Sequence, residues 1–120
     1  MDIATTPSTL VHDLFHAIDT RSFERLREIC HPDVTYERPG YEAFEGIERL
    51  LKFYREERVI ASGDHLLTAV VVDDSHGACW GRFLGAHRNG SDIDVEFADT
   101  YVIEDGRIRR RKSFFYQPAV

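Results

Sequence analysis

Apolar residues recur at three- and four-residue steps through Leu10, Val11, Leu14, Phe15 and Ile18, the stripe of a helix ending near Thr20. Pro7 suits the first turn of that helix, with Thr6 or Ser8 as its cap. Phe23, Leu26, Ile29 and Cys30 form the buried side of a second, short helix that Ser22 caps and His31-Pro32 ends. DVTYER is extended up to the turn at Pro39-Gly40, and Ile47, Leu50, Leu51 and Tyr54 restore helical spacing from about Gly46 to Val59. Beyond Gly63 the period becomes two: HLLTAVVVD, GACWGRFLGAH, DIDVEFADTYVI and RIRRRKSFFYQ read as strands joined by the hairpin sequences DDSHG, RNGS and EDG. The order predicts an α+β fold, with three N-terminal helices covering one face of a curved antiparallel sheet. Residues 1–120 are expected to form one domain.

One strand breaks its own pattern. Val95, Phe97, Asp99, Tyr101 and Ile103 share a face, so a carboxylate stands in an apolar row. Taking Asn89-Gly90 as a two-residue turn sets Trp80 opposite Asp99 and Arg82 opposite Phe97. Taking Glu104-Asp105-Gly106 as a three-residue turn sets Arg111 opposite Asp99, Ser113 opposite Phe97 and Phe115 opposite Val95. That face would collect Trp80, Arg82, Phe97, Asp99, Arg111, Ser113 and Phe115, and two readings of Asp99 follow. Walled by aromatic rings, it is a proton handler in a dry pocket; beside Arg111, it is half of a buried ion pair. Tyr36 and Arg38 share a parity and face the cavity mouth, whereas Glu37 points away unless the strand twists to make it a second carboxylate. His65 shares parity with Leu67 and Ala69 and can reach the pocket face.

Composition narrows the chemistry. The chain has 120 residues and a net charge of −6, which disfavours nucleic acid despite the basic run Arg107 to Lys112. Histidines and cysteines lack ligand spacing, and no glycine-rich phosphate loop follows a strand, so neither a metal nor a cofactor is expected. Cys30 and Cys79 stand far apart, as in a reduced cytoplasmic protein, and no segment approaches the roughly 18 apolar residues of a membrane span.

The stretches FHAIDTRSFERLREICHPDVTYERP, GIERLLKFYRE and DTYVIEDGRI, in this order, resemble the nuclear transport factor 2-like cone-shaped fold. The resemblance lies in its branch of ketosteroid isomerases and SnoaL-like polyketide cyclases and covers nearly the whole chain. It implies that Asp99 stands where the isomerases keep an oxyanion-binding aspartic acid and the cyclases an acid/base aspartate. It implies a pocket wall at Trp80 and an oxyanion-supporting tyrosine at Tyr54. Arg38 takes the place of the isomerase general base and Leu14 that of the oxyanion tyrosine, which argues against steroid isomerisation. Limonene-type epoxide hydrolases share the fold, but Arg82 alone lies near their triad. Their aspartate positions fall at Leu84 or Gly85 and at Ser113.

The expectation is a cofactor-free isomerase or cyclase of secondary metabolism acting on a hydrophobic, oxygenated, acidic or phenolic molecule. The resemblance also implies a homodimer. Two alternatives stand beside it: an epoxide-opening enzyme, which needs a second carboxylate such as Glu37, and a non-catalytic binding or dimerisation module. The last predicts Asp99 fully paired with Arg111 and no cavity of ligand size.

Overall fold

The structure is a computed structural model that describes residues 6–117. Helix α1, Pro7–Asp19, starts as its sequence dictates: Thr6 caps it by accepting from the Thr9 amide at 3.2 Å, and Pro7 fills the first turn. A 3-10 turn, Phe23–Arg25, leads into the one-turn helix α2, Leu26–Ile29. Strand β1, Cys30–Glu37, then starts earlier than expected and runs through His31-Pro32; an irregularity between Cys30 and Thr35 absorbs the proline. A two-residue strand β2, Phe44–Glu45, precedes α3, Ile47–Lys52, and was not foreseen because two residues carry no periodicity.

The third helix ends in a π-helical turn, Phe53–Glu57, closed by the Arg58 amide donating to the Phe53 carbonyl at 2.9 Å. The long strands follow: β3 Ile60–Val72, β4 His76–His87, β5 Asp92–Glu104 and β6 Arg107–Phe115. Sheet order is β2-β1-β6-β5-β4-β3, with β1 parallel to β6 and every other pair antiparallel. The helices lie against one face of this curved, unclosed sheet. Leu10, Val11, Leu14, Phe15 and Ile18 of α1 pack with Leu26, Leu50, Leu51 and Phe53 over the inward residues of β3 to β6.

Both hairpin turns differ from expectation, with opposite consequences. Asn89 does not take the left-handed conformation a two-residue turn requires; its side chain instead accepts from the Ser91 amide at 2.9 Å. The loop is therefore Arg88-Asn89-Gly90, with Gly90 at φ +91°, and β4 slides by one residue. Cys79, not Trp80, stands opposite Asp99, and Arg82 pairs with Glu96 instead of Phe97. A one-residue slip turns every side chain over, so Trp80 and Arg82 lie on the outer face. Asp105 and Gly106, at φ 54° and 74°, make the tight two-residue turn here, and an irregularity at Val102–Ile103 adds one more residue. The resulting two-residue shift keeps the faces: Ser113 stands opposite Asp99, Arg111 opposite Tyr101 and Phe115 opposite Phe97.

Candidate functional site

Inside the cone, between the sheet and the third helix, lies a narrow cavity lined by Tyr36, Arg38, Tyr54, Arg58, Ile60, His65, Phe83, Phe97, Asp99, Arg111, Ser113 and Phe115. Its volume is about 10 Å³, room for roughly one water molecule. Arg38 and Ser113 also border an outer cleft of about 410 Å³, together with Pro39, Tyr41, Ala43, Phe114 and the charged Glu37 and Lys112. A side chain and a strand residue thus separate the interior from solvent.

Asp99 is 1 % exposed, and both of its oxygens are engaged. Oδ2 accepts from Arg111 Nε at 2.7 Å and from the Tyr101 hydroxyl at 3.0 Å, while Oδ1 accepts from Ser113 Oγ at 2.6 Å. Of the two readings left open, the structure has the ion pair. Each hydroxyl has one proton, which fixes the direction of the remaining bonds. Ser113 gives its proton to Asp99, so Tyr36 donates to Ser113 at 2.8 Å, and Arg38 Nη1 donates to the Tyr36 oxygen at 3.3 Å. Arg111 Nη1 donates to the Tyr54 oxygen at 2.8 Å, which leaves the Tyr54 O–H proton unclaimed at the cavity wall. Burial pushes the Tyr54 phenol up, with Arg111 partly opposing, so this proton stays on oxygen at neutral pH. Burial also works against the Arg111 charge. Asp99 and the tyrosines Tyr36, Tyr54 and Tyr101 outweigh it, and the guanidinium titrates well above its ordinary value.

Arg38 and Arg58 are each 6 % exposed. Among the described residues neither makes an ion pair, and the Nε of each is buried without a hydrogen-bond partner. What holds them is aromatic: Arg38 lies 5.2 Å from the Phe53 and Phe115 ring centroids, and Arg58 lies 5.4 Å from that of Tyr54. Burial lowers the Arg58 pKa, partly offset by Tyr54 and reinforced by Arg38. The lining thus carries three guanidiniums and one carboxylate, which Arg111 already occupies.

His65 sits at the wall beside Phe15, Phe83 and Phe97, at ring distances of 4.5, 4.6 and 5.2 Å. Its Nδ1 lies 2.6 Å from Asp19 Oδ1, and its amide donates to Asp19 Oδ2 at 2.8 Å. Burial moves the imidazole to titrate below its ordinary value, outweighing Asp19.

Of the residues singled out in the sequence, the fold brings Tyr36, Arg38, Tyr54, His65, Phe97, Asp99, Arg111, Ser113 and Phe115 to one cavity. Four lie elsewhere. Trp80 is 44 % exposed on the outer face, where Arg82 forms a bidentate pair with Asp94 at 2.6 and 2.5 Å. Glu37 points outward and bonds Arg110 at 2.9 Å, as strand parity expects, so no second carboxylate enters from β1. Leu14 is a core residue that does not reach the cavity. Three participants were missed. Arg58 continues the helical stripe Ile47, Leu51, Tyr54, where a cation in an apolar series was a readable signal. Asp19 follows Phe15 by four residues on the first helix, and Tyr101 follows Asp99 on its face.

A search of curated proteins finds no match. Among solved structures, a protein assigned as a SnoaL-like polyketide cyclase from Jannaschia sp. CCS1 superposes with a TM-score of 0.80 at 18 % identity, covering 97 % of this chain and 90 % of that one. A hypothetical protein with a ketosteroid isomerase-like fold from Catenulispora acidiphila gives 0.82 at 17 % identity, with 97 % and 91 % covered. An LEH-like epoxide hydrolase from M. tuberculosis gives 0.78 at 15 % identity, with 90 % and 80 % covered. At such identities these likenesses speak to the fold. The family model of the SnoaL-like domain matches residues 11–111, and the chain belongs to that family.

Proposed function

We propose that this protein is a cofactor-free isomerase or cyclase that moves a proton on a small, hydrophobic, oxygenated molecule bearing a carboxylate or phenolate, of the polyketide-derived kind. One observation carries the substrate class: Arg38 and Arg58 are buried cations at the cavity wall with orphaned Nε atoms and no carboxylate. A buried charge without a partner costs several kcal/mol, and a ligand anion in the cavity removes that cost. The cavity as it stands holds about one water, so docking on Arg38 and Arg58 requires the Arg38 side chain to swing toward the outer cleft of about 410 Å³ that it borders, and the anionic molecule enters there. Phe83, Phe97 and Phe115 cover the apolar part of the molecule and exclude water. Tyr54 donates its free O–H to the oxygen on which negative charge develops, with Arg111 behind it and Asp99 holding Arg111 in place. Asp99 serves here as a positioning residue, because three donors, one of them the Arg111 guanidinium, occupy most of its acceptor sites.

The test is thermal unfolding with and without benzoate, for the wild type and for Arg38→Met and Arg58→Met. The wild type is stabilised as benzoate rises, following mass action, and each variant loses most of that response. Equal stabilisation of wild type and variants, or none in any of them, refutes the anion site.

Two further features complete the reading. The outer sheet face presents Trp80, Ala98 and Phe114 in one row across β4, β5 and β6, with Leu66 and Tyr116 nearby, all suited to a second copy of this chain. Free, buried Cys30 and Cys79 fit a cytoplasmic, reducing setting. A non-catalytic binding or dimerisation module is the second reading, favoured by the small cavity and the pairing of Asp99 with Arg111. A binder would share the benzoate response and a dimerisation module would not; neither shows proton transfer.

A further inference from the structure

If the cavity moves protons, it needs an acceptor, and the fold narrows the choice. Both Asp99 oxygens are engaged, the Tyr54 phenol is pushed up by burial, and the Tyr36 hydroxyl is bound between Arg38 and Ser113. Burial and then Asp99 push the Cys79 thiol up to about 11, and Cys79 does not line the cavity. Glu37 faces outward. His65 remains.

Asp19, at the end of α1, does not border the cavity, whereas His65, on β3, does. The carboxylate grips His65 twice, at the ring Nδ1 and at the amide, so the Asp19 side of the ring faces away from the cavity. A carboxylate accepts, so Nδ1 carries the proton and the lone pair lies on Nε2, which makes no hydrogen bond among the described residues. The rings of Phe15, Phe83 and Phe97 fix the imidazole plane. We propose that His65 Nε2 is the proton acceptor of this cavity and that Asp19 is the residue that positions it. The inference rests on the small-molecule reading above and adds a base to it.

The charged groups facing the imidazole are Asp19 from α1, Arg58 after the π-helical turn and Arg111 from β6, with Asp99 of β5 locked to Arg111 across the cavity. Burial and the two arginines disfavour a second proton on the ring, and Asp19 favours one. The net direction leaves His65 neutral, and able to accept, at neutral pH.

A generic probe of such a base is 5-nitrobenzisoxazole. The base takes the proton from its ring carbon, the C–H electrons complete a nitrile, and the N–O bond breaks to leave a phenolate. The protonated imidazole then returns its proton to water. We expect the wild type to exceed free imidazole at equal concentration, with a rate that rises through the His65 pKa read from ring-nitrogen NMR on the same protein. His65→Gln lowers the rate about 100-fold. Asp19→Asn keeps an acceptor at Nδ1 but removes its charge, so it moves the inflection to lower pH and reduces kcat more than KM. A merely structural Asp19 would leave that inflection in place. The proposal is overturned if His65→Gln matches the wild type, if the wild type matches free imidazole, or if NMR finds the neutral ring protonated on Nε2. That last reading needs no variant, so it decides the matter even where His65→Gln fails to fold. Loss of benzoate binding in the arginine variants is a separate readout: benzoate binding with a His65-independent elimination removes the base alone. Elimination that needs His65 without benzoate binding removes the substrate class alone.

Discussion

Asp99 and Arg111 show how tightly a buried polar pair can be committed to its neighbours. Three donors converge on one carboxylate, and the guanidinium that supplies one of them also holds Tyr54. Removing a single partner leaves an uncompensated charge in the core. Arg111→Met should therefore destabilise the fold by about 3–5 kcal/mol, and pairing it with Asp99→Asn should restore part of the loss; urea unfolding of the single and the double variant measures both. His65 makes the opposite case, a group kept neutral by burial. Its folded pKa lies below the unfolded value of about 6.5, so as pH falls past that value the unfolded chain takes a proton that the native state refuses. Stability contributed by the neutral ring is present above about pH 6.5 and is lost on acidification through the folded pKa. The fall in melting temperature between pH 7 and pH 5 should be shallower in His65→Gln than in the wild type.

At the level of elements, strand parity told more than strand register. The row of Val95, Phe97, Asp99, Tyr101 and Ile103 is inward as alternation requires, and β6 brings Arg111, Ser113 and Phe115 to the same side because its shift is two residues. The β4 face was illegible for a local reason. Asn89 spends its side chain on Ser91 in place of adopting the left-handed turn, and that choice turns Trp80 and Arg82 outward while Cys79 and Phe83 turn in. Arg58 was legible as a cation continuing the stripe Ile47, Leu51 and Tyr54, and the π-helical turn that ends the third helix places its guanidinium against Tyr54. Phe83 owes its place to the facing pair Gly63 and Gly85. A Cβ at Gly63 would lie 2.2 Å from the Phe83 ring, itself packed against His65. Gly63→Ala should cost about 1–3 kcal/mol and disturb the His65 ring resonances, as calorimetry and NMR would report.

Across the whole molecule the two faces of the sheet divide the work. The inner face and its helices enclose the polar cluster, which the sequence announced through one misplaced aspartate and the family resemblance placed inside a cone. The outer face carries Trp80 and Phe114 in the open. Neither composition nor periodicity says what covers them, since alternation assigns a side chain to a face and not to a partner. Trp80→Glu should convert a dimer to a monomer in sedimentation velocity, and an already monomeric wild type would remove that interface from the account. The central claim concerns the interior: that Arg38 and Arg58 await an anion. The most direct measurement is the ¹H–¹⁵N spectrum of the arginine Nε–H groups during a benzoate titration. The account predicts that the Arg38 and Arg58 resonances shift and saturate together while that of Arg82, already bound to Asp94, stays still. Movement confined to surface arginines, with Arg38 and Arg58 unchanged at saturating benzoate, would contradict it.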